Sequence, residues 1–232
     1  MSIYAISDLH LSFNTDKPMN IFGWENYEKI IEDDWSKKVT DNDLVLLPGD
    51  FSWEMSLENT YKDFEFINNL PGKKLLLKGN HDYWWNTIKK MREFLNDKEF
   101  SNIDFLYNNS YEFDNYIIAG TRGWVLANVK DSEEDEKIRK RELQRLESSI
   151  LDGIKNYGED KKIIVCMHYP PLNKVNTETE FTKVLEKYNV SKCLYGHLHG
   201  KAQEEAVEGI INNVEYIMTS CDYMDFKIKK II

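Results

Sequence analysis

Five short apolar runs, at residues 3–6, 44–47, 75–77, 163–167 and 193–195, each stop at or just before a side chain that can bind a metal or a glycine next to one. Runs this apolar, with no polar alternation, suit strands buried on both faces. The segments between the first three supply helices to cover them. Tyr27, Ile30, Ile31 and Trp35 fall at helical spacing within 24–39. Leu57, Tyr61, Phe64 and Ile67 do so within 56–70, ahead of the stop at Pro71-Gly72. A further helix is expected over 83–95. Strand and helix in alternation predict a parallel sheet, whose functional loops lie at the carboxyl ends of its strands.

Residues 103–107, 111–113 and 116–119 are shorter strand candidates. Residues 131–156 read as a long charged helix with Leu143, Leu146, Ile150 and Ile154 inward, and 181–188 as a short one. A hairpin over Asn212-Asn213 joins 205–211 to 214–219. The alternating tail 227–232 reads as an edge strand. With no repeat, low-complexity tract or Pro/Ser linker, residues 1–232 are expected to form a single domain.

A hydrophobic content of 41% excludes disorder as the main state. No apolar run approaches the ~20 residues of a membrane-spanning helix. The net charge of −10 disfavours long nucleic acid, whose sequence-blind binders need a basic face. Met1-Ser2 leads straight into the first strand, so no secretory leader is expected. Cys166, Cys193 and Cys221 are far apart and form no CxxC, which suits reduced thiols in buried strands of a cytoplasmic protein.

All five histidines, His10, His81, His168, His197 and His199, sit at or just past apolar runs. Asp8-Leu9-His10 and His197-Leu198-His199 each place two donors two residues apart, on one side of an extended chain. Gly49-Asp50 and Gly79-Asn80-His81 put donors after glycines that allow a sharp turn. Any one of these is common in ordinary turns; the joint pattern is not. Two carboxylates, an amide and four imidazoles, without thiolate, suit Mn, Fe, Zn or Ni. Seven donors are too many for one ion and about right for two, which a bridging carboxylate can hold ~3.5–4 Å apart around a phosphoryl group.

The ordered set DLH, GD, GNHD, H and GHLH resembles the calcineurin-like metallophosphoesterase superfamily, and SDLHLSF, HYPP and GHLHG resemble its small bacterial predicted-phosphohydrolase branch. The resemblance spans Asp8 to His199. It implies an α/β four-layer sandwich, two mixed sheets flanked by helices. It also implies one metal on Asp8, His10, Asp50 and His199, a second on Asp50, Asn80, His168 and His197, and His81 as the catalytic acid near the leaving group. The reaction implied is hydrolysis of a small phosphodiester or phosphomonoester by a hydroxide bridging two divalent transition metals, manganese being the expected active ion. A nuclease of the same superfamily and a non-catalytic metal-binding scaffold are the alternatives. Oligomeric state stays open.

One departure from the family is visible. Protein phosphatases carry GDxxDRG; here the later Asp and Arg are replaced by Trp53 and Glu54, which disfavours phosphoprotein substrates. Glu54 and Asp82 are both candidates to orient His81. Arg122, between glycines in Gly120-Thr121-Arg122-Gly123, is a candidate substrate clamp, with a plain ion pair as the alternative. Trp84 and Trp85 read as core, and Asp222 as a turn residue. Residues 11–23 must pass near the metals, so Phe13, Phe22 and the adjoining Trp24 are candidates to shape the pocket.

Overall fold

The computed structural model describes residues 1–15, 17, 19–128 and 130–232. Strands β1 (Ile3–Ala5), β2 (Leu44–Pro48), β3 (Lys73–Leu77) and β4 (Ile103–Leu106) lie side by side and parallel. The tail strand, β11 (Lys229–Lys230), pairs antiparallel with β1 at the edge, giving the order β11-β1-β2-β3-β4. A second sheet runs β5-β6-β7-β8-β10-β9. Its members are β5 (Tyr111–Phe113), β6 (Tyr116–Thr121), β7 (Lys162–Met167), β8 (Lys192–Tyr195), β9 (Gly209–Ile211) and β10 (Val214–Met218). The strands from β6 to β10 are parallel, with β5 and β9 antiparallel at the two edges.

Helices α1 (Tyr27–Lys38), α2 (Tyr61–Asn69) and α3 (Ile88–Asp97) cover the first sheet; α4 (Glu133–Tyr157) and α5 (Glu180–Lys187) cover the second. The strands alternate between two burials, which is why their sequences lack polar alternation. On β2, Val45 and Leu47 pack toward the helices while Leu44 and Leu46 face the other sheet. On β7, Val165 and Met167 face helices while Ile164 and Cys166 face the first sheet. The result is helix, sheet, sheet, helix, two mixed sheets meeting at an apolar seam.

Three expectations shift. The third helix begins at Ile88, not at Tyr83, because Trp84 is buried and residues 83–84 form a turn before Thr87 caps the helix, its side chain accepting from Lys90 N. The hairpin over Asn212-Asn213 is real, both residues having left-handed φ of 49° and 68°, but its first strand is only Gly209–Ile211. Cys221 lies in a 3₁₀ turn rather than a strand. All three cysteines are free and buried. No helix among the described residues is long and apolar enough to cross a membrane.

Candidate metal centre

The two sheets come together at one end. Ile6 N–H donates to Leu46 O of the first sheet (3.1 Å), and the next residue, Ser7, donates to Thr219 O beyond β10 (2.7 Å). Around this junction the strand ends deliver their side chains: Asp8 after β1, Asp50 after β2, Asn80 and His81 after β3, Arg122 after β6, His168 after β7, His197 and His199 after β8.

The backbone is bent hard to present them. Asp8, His10, Asp50 and His197 have φ of 58°, 46°, 50° and 74°, a left-handed conformation that costs a non-glycine residue roughly 1–2 kcal/mol. Hydrogen bonds hold the bends. Asp8 N–H donates to Gly49 O (2.9 Å) and His10 N–H to Asp50 O (3.0 Å). The buried Asp82 carboxylate accepts from the backbone N–H groups of Asp50 (3.0 Å), Phe51 (2.9 Å) and Gly79 (2.7 Å), and from Trp84 Nε1 (3.0 Å). The motif glycines are required by close approach. A Cβ on Gly79 would collide with Asp50 Oδ1, and one on Gly196 with Asp8 Oδ2.

The donors converge in two overlapping groups. In Asp8, His10 and His199, and again in Asp8, Asp50 and His168, one ligand atom per residue lies within 4.8 Å of the others. His199 Nε2 is 3.4 Å from His10 Nε2 and 3.5 Å from Asp8 Oδ1. His168 Nε2 is 2.6 Å from Asn80 Oδ1, 3.2 Å from His197 Nδ1 and 3.5 Å from Asp50 Oδ2. Asp50 Oδ2 also lies 3.8 Å from His10 Nε2, so this carboxylate reaches both groups.

Electrostatics favour the neutral imidazole, the form that binds metal, at four of the five histidines. Burial pushes His10 down to about 3 and His197 to about 4, and lowers His81 and His168. Burial would lower His199 as well, but hydrogen bonds to Asp222 and Asp8 overcome it and hold it up at about 10. Burial and the charge of Asp8 raise Asp50, whereas the surrounding imidazoles outweigh burial at Asp8 and lower it. His168 Nδ1 lies 3.1 Å from Pro48 O and donates to it, which leaves the Nε2 lone pair facing the oxygen of Asn80. Lone pairs turned on one another across such distances fit a cation between them, and the N/O donor set without sulfur fits a divalent transition metal.

His81 lies beside the two groups. Its N–H donates to Asp50 Oδ1 (2.8 Å) and its ring packs on Trp53 (centroids 4.6 Å), which also stacks on His10 (4.6 Å). Neither acid named for it orients it. Asp82 is committed to the backbone, and Glu54 makes no hydrogen bond to His81 among the described residues. A cavity of about 430 Å³ opens over His10, His81 and His199, walled by Met19, Phe22, Trp24 and Trp53. Phe22 and Trp24 thus shape it as expected; Phe13 instead packs on Phe66 (5.3 Å). Asp16 and Pro18 of the segment 11–23 lie outside the described residues.

Arg122 does not line that cavity. Its guanidinium lies over the Trp124 ring (4.6 Å) and 3.9 Å from Glu142, in a separate basic cluster. Asp222, read from sequence as a turn residue, does more than turn the chain: its Oδ1 lies 2.9 Å from His199 Nδ1. The signal was present in its position after a strand, but 23 residues separate it from the GHLH motif.

A family model described as calcineurin-like phosphoesterase matches residues 1–201. No curated protein matches the sequence. Among solved structures, a phosphopantetheinyl hydrolase from Mycobacterium tuberculosis superposes with a TM-score of 0.58 at 12% identity, over 100% of this chain and 95% of that one. TT1561 of Thermus thermophilus gives 0.58 at 13% identity, over 98% and 96%. A protein of unknown function from Aquifex aeolicus, AQ665, gives 0.51 at 19% identity, over 99% and 95%. At these identities the similarity establishes the shared fold.

Proposed function

The chain belongs to the calcineurin-like phosphoesterase family, whose members hydrolyse phosphoesters with divalent metals, and on that premise we propose that it cleaves a small phosphodiester or phosphomonoester at a dinuclear centre. In this reading residues 1–232 work as one cytoplasmic domain. Asp8, His10, Asp50 and His199 hold one ion; Asp50, Asn80, His168 and His197 hold the other. Manganese is the ion expected to support turnover. Two bound cations would offset charge on the phosphoryl oxygens and ready a water for in-line attack.

The observation that carries this reading is the position of Asp50, with Oδ2 3.5 Å from His168 Nε2 and 3.8 Å from His10 Nε2. The chain's own residues do the rest. Asp82 fixes the loop that carries Asp50, and Trp53 braces the rings of His10 and His81. His81, at the cavity wall, gives a proton to the departing oxygen. The aromatic cavity takes the organic part of a small ester, and the replacement of the phosphatase Asp and Arg by Trp53 and Glu54 argues against phosphoprotein.

The test is turnover of metal-free and Mn-loaded protein on bis(4-nitrophenyl) phosphate, 4-nitrophenyl phosphate and a phosphopeptide, with metal content measured alongside. About two ions per chain, metal-dependent turnover of the small esters and loss of both ions in Asp50→Asn are expected. One ion retained at full affinity in that variant overturns the shared ligand. Phosphopeptide as best substrate overturns the substrate class.

A further inference from the structure

A second cavity, of about 250 Å³, has a charge opposite to that of the chain as a whole. Lys78, Arg122, Arg141 and Arg145 line it, with Glu142 as the single carboxylate among the lining residues. The topology gathers them from three places: Lys78 follows β3, Arg122 follows β6, and Arg141 and Arg145 lie a turn apart on α4.

Glu142 is buried and already committed. It accepts the Thr121 hydroxyl on Oε2 (2.6 Å) and Arg145 Nη1 on Oε1 (2.7 Å). The other two guanidiniums stand off at 3.9 Å (Arg122) and 4.0 Å (Arg141). Among the described residues Lys78 has no ion pair or hydrogen bond, and Arg122 Nε is buried without a partner. Four cations around one spent carboxylate repel one another unless an anion joins them. Two are held in place beforehand, Arg122 over the Trp124 ring and Arg145 over the Tyr107 ring (5.3 Å). Guanidinium forks with a lysine between them match phosphate oxygens.

The loops that line this cavity also carry residues of the candidate metal centre. Lys78 directly precedes Gly79-Asn80. Arg122 O accepts the N–H groups of His168 (3.2 Å) and Tyr169 (2.9 Å), and the Tyr169 ring packs between His197 (4.3 Å) and Trp124 (5.4 Å). Yet none of the four cations lines the cavity over His10, His81 and His199.

We propose that this basic cavity is a second anion site that takes a non-reacting phosphate of the substrate, so that the substrate is a small phosphate ester carrying two phosphate groups. Arg122 then grips the substrate away from the scissile bond. The substrate part rests on the hydrolase reading above; the anion site does not.

Calorimetric titration of inorganic phosphate into chelator-treated protein separates the two. Phosphate should bind wild type, and tenfold or more weakly to Lys78→Ala and to Arg141→Ala, whose side chains are partly exposed; thermal melting checks that both fold. Equal phosphate affinity in wild type and both variants, or no binding to wild type, overturns the site. Malonate binding as tightly as phosphate overturns the assignment to phosphate. In Mn-loaded protein, the ratio of kcat/KM for adenosine 3′,5′-bisphosphate to that for adenosine 5′-monophosphate should fall about tenfold in both variants. An unchanged ratio overturns the substrate assignment. Protein inert toward every ester overturns the hydrolase reading and the substrate assignment with it, while the titration still decides the anion site.

Discussion

His199 Nδ1 lies 2.9 Å from Asp222 Oδ1, and the other Asp222 oxygen accepts the Gly200 N–H at 3.4 Å. The carboxylate comes from the 3₁₀ turn after β10 and the imidazole from the loop after β8, so two neighbouring strand ends fix one ring. Donation from Nδ1 turns Nε2 toward Asp8 and His10. A carboxylate behind a metal-binding imidazole sets its tautomer and raises its basicity, and losing it typically costs 10–100-fold in metal affinity. Asp222→Ala should weaken metal binding by about that factor in chelator competition. Asp222→Asn, which keeps an acceptor, should recover most of it. Full affinity in the alanine variant would show that Asp222 only shapes the turn.

The His199–Asp222 pair should lose its contribution to the stability of the metal-free protein as pH rises, and the loaded protein should show much less of this loss. His199 is held at about 10, above the ordinary imidazole value of 6.5, and Asp50 is also raised above its ordinary value. A group whose folded pKa is raised binds more protons folded than unfolded. For His199 that stability is fully present below about 6.5 and lost as pH climbs toward about 10. Asp50 pulls the same way, whereas His10, His81, His168 and His197, all lowered, pull the other way as pH rises toward 6.5, so the His199 contribution is read by difference. Melting curves of chelated protein at pH 6, 7.5 and 9 should show the Tm advantage of wild type over Asp222→Asn narrowing as pH rises. Bound cations replace those protons and should flatten the curve. An advantage that holds or grows up to pH 9 contradicts the charge assigned to His199.

Seven donors at strand ends were legible because an apolar run that stops at a polar side chain marks both a buried strand and its exposed end. What made them a centre was not legible. Asp8, His10, Asp50 and His197 adopt left-handed φ without being glycine, and no residue type announces that. Asp82 stands next to His81 in sequence, yet its carboxylate turns back onto the loop of Asp50. Arg122 was found at the right kind of strand end, but its companions Arg141 and Arg145 read in sequence only as part of a long charged helix. Only the packing of α4 over β6 brings them to one cavity. The third helix starts late for a similar reason, since tertiary burial of Trp84 overrides local helical spacing.

His81 is predicted to act on the leaving group and not on the metals. Its Nδ1 is buried without a partner among the described residues, and its ring forms part of the wall of the 430 Å³ cavity. His81→Ala should keep both ions yet lose ~10²–10⁴-fold in turnover of an alkyl ester, the span usual for a lost general acid. The loss should shrink for a nitrophenyl ester, whose leaving group needs no proton. Equal losses on both substrates would point to a positioning role.

Gly79→Ala should damage the centre without replacing any donor residue. Gly79 has no positive φ, so an alanine there meets no backbone strain. It meets Asp50 instead, its Cβ overlapping both the carboxylate oxygen Oδ1 and the main-chain nitrogen. A main-chain atom cannot rotate away, so the loop carrying Asp50 must shift. Overpacking of this kind costs about 1–3 kcal/mol, or a fall in Tm of roughly 3–10 °C for a chain of this length. Because Asp50 reaches both donor groups, affinity for both ions should fall together. Gly158→Ala is the control: its φ is +97° and a Cβ there meets nothing within 4 Å, so it carries strain at the end of α4 but no clash near the centre. It should lower Tm and leave metal content unchanged. Wild-type metal affinity in Gly79→Ala would mean that the close approach of Gly79 to Asp50 does not set the position of that carboxylate.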